Sequence, residues 1–214
     1  NATLACLERE RRQTNKLIGR FAEQRPDGAM SRRLEAALSR AEVALRSCDE
    51  ERPESTNASY AIRVFQERME DADAAFRLGQ VAEARSMLDE LEPAIRSLEY
   101  APLLAEFRAK QGALLAKLKR NEEARVALLE AFQLAVPAGE QHAALRASRN
   151  LVAVAEGQAA EVWLDVANTM SKATGSPVDR ASVLNQGCIF HLHRGNYERG
   201  RAMCIESLEL SRKL

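Results

Sequence analysis

Aromatic side chains are scarce in this 214-residue protein, at 5%, and β-branched residues are few. Sheets are built from those residue types, so their shortage argues against a β fold. Histidine occurs only 3 times, and His191 and His193 stand two apart. On a helix that spacing turns them about 200° away from each other, so they cannot chelate one metal; one is expected to pack and the other to face water. Net charge is also missing, because 31 Lys and Arg offset 31 Asp and Glu. No global basic field exists to hold a nucleic acid. No apolar run approaches the roughly 18 residues that span a bilayer, and no secretory leader pattern stands at the start. The sequence opens inside a helical pattern at Thr3-Leu4-Ala5-Cys6, which is the expectation for a piece of a longer polypeptide. No serine sits in a nucleophile elbow and no pair of carboxylates is set apart from the many solvated ones. We therefore expect no catalytic residues, no cofactor and no metal. Asn57-Ala58-Ser59 fits a glycosylation sequon, a three-residue match of little specificity.

What is present is Ala, Leu, Glu and Arg, the residues that favour helix by intrinsic propensity. The informative stretch is Ala105 to Pro137. Phe107, Ala109, Leu114, Leu115 and Leu118 recur at helical spacing, with Gly112 bare in their midst. Lys119-Arg120-Asn121 interrupts the pattern. Ala124, Leu128 and Ala131 then share one face of a second helix, and Pro137 is expected to stop it. A small residue opposite an alanine lets two helices approach closely. The same triplet recurs as Ala84, Leu88, Leu91, then as Ala160, Leu164, Ala167, and more weakly as Gly200, Cys204, Ser207; the intervals are 40, 36 and 40 residues. Self-similarity at such a period marks a solenoid or array. The plain alternative is a helical bundle with accidental periodicity.

Taken in order, about ten antiparallel helices are predicted. An N-terminal hairpin fills residues 1–52, with Leu4, Leu7, Leu17, Ile18 and Phe21 on the first helix and a turn at Pro26-Asp27-Gly28. Its second helix runs from about 30 to 45. Residues 49–57 read as a loop. Four helix pairs follow at 58–100, 101–137, 139–175 and 178–214. Cys6 and Cys48 bracket the N-terminal hairpin, and antiparallel helices of similar length permit a disulfide there, closing a loop worth roughly 3–4 kcal/mol. Two free thiols are the other reading, less favoured because both cysteines sit at helix ends. Cys188 and Cys204 occupy core positions of helices that should touch; buried thiols are expected there, with a bridge as the alternative. Trp163 is expected to pack between neighbouring pairs, and His142 to lie at the surface at a helix start.

Gly112, Ala124, Leu128, Ala131 and Pro137 fall at the offsets of the tetratricopeptide repeat, which this stretch resembles; Arg108 stands where that family has an aromatic residue. The resemblance implies an all-α fold, an α–α superhelix, whose first helices line a concave groove for a protein or peptide. Carried onto this sequence, the groove would include Gln66, Met69 and Asp73, then Ala109, Ala113, Ala116 and Lys117, then His142, Arg146 and Arg149, and finally Asn185, Ile189 and His193. The arginines would suit an acidic segment or a C-terminal carboxylate; the plain alternative is that these charges only solvate the surface. At finer grain, Ala5-Cys6-Leu7-Glu8-Arg9, Cys48-Asp49 and Glu99-Tyr100-Ala101-Pro102-Leu103-Leu104 resemble the C-terminal region of bacterial, myxobacterial-type eukaryotic-like serine/threonine protein kinases. That resemblance implies a kinase domain and a membrane span upstream, a sensor or interaction role in signal transduction, and a position outside the cytoplasmic membrane, which favours the Cys6–Cys48 bridge. This segment itself carries no Gly-rich phosphate loop, no His-Arg-Asp loop and no Asp-Phe-Gly. A cytoplasmic scaffold or transcriptional-regulator domain is the competing context, and a helical small-molecule-binding domain the competing class. Nothing in the residues fixes an oligomeric state.

Overall fold

The computed structural model describes residues 2–22, 33–38 and 60–213, and among them there is helix and turn but no strand. The expected Cys6–Cys48 bridge, the turn at Pro26, the loop at 49–57 and the sequon at Asn57 lie outside the described residues. Nine helices are delimited among those described: α1 (Ala2–Ala22), α2 (Tyr60–Arg77), α3 (Val81–Ser97), α4 (Ala101–Lys117), α5 (Asn121–Ala138), α6 (Gln141–Val154), α7 (Gly157–Ala173), α8 (Pro177–His193) and α9 (Tyr197–Lys213). Residues 33–38 form a further helical stretch. The fold is all-α, as composition requires.

Local signals set these boundaries. From α2 to α8 the helices end at a residue in the left-handed region, Gly79, Glu99, Lys119, Gly139, Gly175 and Gly195, with φ between 49° and 84°, except that α6 ends on the extended Ala155 and a left-handed Gly157 opens α7. The left-handed conformation ends a helix by turning its carbonyls away from the next residues. Ser176 caps α8 by accepting the backbone N–H of Asp179 at 3.2 Å, with Pro177 as the first helical residue. Pro137 does not stop α5, contrary to expectation. It lies inside the last turn, and Gly139, at φ 74°, ends the helix.

The protein divides into two compact units, Asn1–Glu99 and Tyr100–Leu214. The pair α2–α3 thus groups with α1. In the first unit α1 packs on α2 and α2 on α3, around Leu17, Ala37, Ala74 and Leu78. Lys16 of α1 donates to the Glu67 carbonyl at 2.6 Å and meets Asp71 at 3.2 Å. Arg33 Nη1 donates to the Leu78 carbonyl at 3.3 Å, and its guanidinium fills the space where a Cβ on Gly79 would stand. Conformation and neighbour both ask for glycine at that turn.

The second unit holds three hairpins, α4–α5, α6–α7 and α8–α9, built alike. The small position of the first helix, Gly112, Ser148 or Cys188, is buried in each. So are Ala124, Ala160 and Gly200 opposite it, and Ala131, Ala167 and Ser207 two turns further. Leu128 and Leu164 are 0% and 2% exposed, a burial that contributes about 2–3 kcal/mol for each leucine. Between the hairpins, Phe132 and Trp163 meet edge to face at 5.1 Å. In the third hairpin the leucine is replaced by Cys204, which is bridged to Cys188 with their Cα atoms 5.2 Å apart. The expected buried thiols are thus a disulfide, because the close crossing that suits Gly against Leu also suits two sulfurs. Arg108, standing where the repeat family has an aromatic, is 7% exposed and ties α4 to α5 through Glu130 at 2.8 Å.

Candidate binding surface

In the second unit the first helices touch in series, α4 against α6 and α6 against α8. Among the described residues no comparable backbone approach joins α5 to α7 or α7 to α9. The second helices meet there through side chains only. A row of first helices is therefore a continuous face, and the side chains on it come from three elements fixed by their own hairpin partners.

The helical period puts His142, Arg146 and Arg149 on one side of α6. His142 has 61% of its side chain exposed and its Nδ1 lies 3.3 Å from Asp179 Oδ2, at the start of α8. Arg149, partly buried, donates through Nη1 to the Ser182 hydroxyl of α8. Arg146, between them, is half-buried and holds no ion pair among the described residues. Lys117 at the end of α4 and Asn185 and His193 on α8 are exposed, and Ile189 is 41% exposed. Ala113 and Ala116 are half-buried. One turn up α4, Lys110 is 7% exposed and meets Glu106 at 3.7 Å. The face is thus less basic than its arginines suggest: Glu106 pairs with Lys110 and Asp179 adds a carboxylate beside His142, while Lys117 and Arg146 hold no ion pair among the described residues.

Three residues expected on the groove stand elsewhere. Met69 is fully buried, because α1 runs along this part of α2 with Lys16 at Asp71 and Arg12 at Glu70. Ala109 is also fully buried and packs with Ala124, Leu128 and Leu151. Asp73 turns to its own helix, meeting Arg77 at 2.7 Å. Gln66 is half-buried in the first unit, with Met69 and Asp73. Asp179 and Ser182, which hold His142 and Arg149, are not marked out by the sequence pattern. The Ser176-Pro177 cap is the available signal, since it puts Asp179 in the first turn of α8, level with the start of α6.

His191 is 1% exposed while His193 is exposed, as their spacing requires. Neither ring nitrogen of His191 has a hydrogen-bond partner. Burial and the nearby Arg199 and Arg194 push its pKa below the ordinary value, against Glu161 and Asp165, which raise it. An open depression of about 440 Å³ lies at the α7–α8 turn and is lined by both charge signs, Lys172, Arg180 and Lys213 with Glu206 and Glu209. Among the described residues no three metal-ligating side chains converge, and no helix is long and apolar enough to cross a membrane. No protein-family model matches the sequence, and no curated protein does. What fold and surface define is a class: an all-α helical repeat with a mixed-charge face.

Proposed function

We propose that this segment is a non-catalytic protein- or peptide-binding module of the tetratricopeptide-repeat kind, whose groove in the second unit is the row α4, α6 and α8. The observation that carries this reading is the serial contact of the first helices with Arg146, which holds no ion pair among the described residues, at their centre. A guanidinium offered there suits a carboxylate, which it grips with two parallel N–H donors. Lys117 adds a second cation, and Ile189 gives an apolar side chain of the occupant something to cover. The ligand is therefore an acidic segment or a free C-terminal carboxylate. Isothermal titration with acidic peptides, each made with a free and an amidated C-terminus, tests this. Arg146→Glu should weaken the best binder at least about tenfold. Unchanged affinity would remove the groove from consideration.

The wider context rests on the sequence resemblance. We propose that the segment is the sensor region of a bacterial serine/threonine protein kinase, positioned outside the cytoplasmic membrane. The Cys188–Cys204 bridge supports an oxidising compartment. A cytoplasmic scaffold or transcriptional-regulator domain would hold those sulfurs reduced. Thiol titration of protein taken from its native host under denaturing, non-reducing conditions separates the two contexts: reactive Cys188 and Cys204 would overturn the first.

A further inference from the structure

Among the described helices the backbone of α9 approaches that of α8 alone. Its inward side is fully used: Ser207 donates to the Ala181 carbonyl at 2.8 Å, and Glu206 meets Arg180 at 2.8 Å. The outward side is different. At about 100° per residue, Glu198, Arg201, Ile205, Leu208, Glu209 and Arg212 fall within a third of the helix circumference. All six are exposed, Ile205 at 46% and Leu208 at 51%. None of the four charged ones holds an ion pair among the described residues.

Their order along the helix is acid, base, apolar, apolar, acid, base. Laid parallel on a copy of itself, this face would put Glu198 on Glu198 and Arg201 on Arg201, and each pair would repel. Laid antiparallel about an axis at Ile205, it matches throughout. Glu198 then faces Arg212 of the second copy, Arg201 faces Glu209, Leu208 faces Ala202, and Ile205 meets Ile205. A two-fold axis makes every such pair except the central Ile205–Ile205 occur twice, so the contact is self-complementary. We propose that α9 is a homodimerisation surface, pairing antiparallel with α9 of a second copy of this protein. Complementary charge sets the register and the apolar centre excludes water. One helix per copy covers less than the standard interface area of about 1,200–2,000 Å². The dimer is accordingly weak and sensitive to salt.

Sedimentation equilibrium of the 214-residue protein, over a concentration series at low and high salt, reads this directly. The expected result is a monomer–dimer equilibrium that shifts toward monomer with added salt. Arg201→Glu and Glu209→Arg should each weaken the dimer about tenfold or more, since each sets two like-charge pairs across the axis. The double variant Arg201→Glu with Glu209→Arg should restore it. Ile205→Lys should abolish it. These positions are exposed, so far-UV circular dichroism and melting should stay as in the parent protein and separate lost pairing from lost folding. A monomer at every concentration would overturn the proposal and leave the face to a different partner. A dimer indifferent to the single reversals, or not rescued by the double, would overturn it equally.

Discussion

At the scale of the residue, His191 is the side chain with most at stake. It is enclosed at 1% exposure with both nitrogens unpartnered. Burial, then Arg199 and Arg194, lowers its folded pKa, while Glu161 and Asp165 pull the other way. In the unfolded state the ring titrates near the ordinary value of about 6.5. The unfolded state therefore binds the proton first, and stability must fall as pH drops below about 6.5. Above that value the ring is neutral in both states and contributes no slope. His191→Leu removes the group, so the stability difference between variant and parent should widen from pH 7 to pH 5.5, by at most about 1.4 kcal/mol per pH unit. Urea melts at several pH values measure it, and parallel curves for the two proteins would show the ring to be irrelevant. The sequence disclosed that one of His191 and His193 would be buried and the other exposed, because a spacing of two on a helix turns them apart, but not which. It did not disclose Met69's burial, since that depends on α1 lying along α2, a contact between segments some 50 residues apart.

At the scale of the element, the close crossing of α4 and α5 can be tested against an open glycine in α1. A Cβ on Gly112 would stand 2.5 Å from Leu128 Cγ and 3.2 Å from the Ala124 carbonyl, whereas a Cβ on Gly19 meets nothing within 4 Å. Alanine gains up to about 1 kcal/mol over glycine in any helix interior. At Gly19 that gain stands alone, so Gly19→Ala should stabilise by about 0.5–1 kcal/mol. At Gly112 overpacking costs about 1–3 kcal/mol and the leucine must move away, so Gly112→Ala should destabilise by about 1 kcal/mol or more. Denaturant midpoints of the two variants decide the matter, and a stabilising Gly112→Ala would mean that the helices do not cross tightly. Helix ends were readable from the sequence to within three residues from α2 onward, because glycine and proline act locally. The exception at Pro137 is instructive. Proline's missing N–H and its clash fall on the preceding turn, and the backbone still needed a left-handed residue to leave the helix, which only Gly139 provides. The disulfide was legible as a meeting of two helices but not as a bond, since sequence gives proximity without redox state.

At the scale of the whole molecule, the later repeats have core clusters of their own within residues 100–214, around Leu128, around Leu164 and around Ala144. The fragment Tyr100–Leu214 should consequently fold alone, with a helical circular dichroism spectrum and a single cooperative melt. A non-cooperative melt would show that the first unit is needed to complete its core. The periodicity that announced the array came from just those buried positions, Ala124 with Leu128 and Ala160 with Leu164, which is why the repeat was visible without coordinates. The proposed binding face was less visible. Its charge depends on pairings such as His142 with Asp179 and Lys110 with Glu106, and spacing alone does not rank one carboxylate above another.

The hairpins of this second unit are joined through their first helices and through each second helix with the next first helix, α5 with α6 and α7 with α8, but not by backbone approach of one second helix to another. First helices are laced together at their backbones, and second helices lean on each other by side chains such as Phe132 and Trp163. Such a body is stiff along the laced edge and pliant across it, as a bound book is at its spine. An occupant of greater girth would be met by the outer leaves fanning while the spine and the buried leucines beside it keep their places.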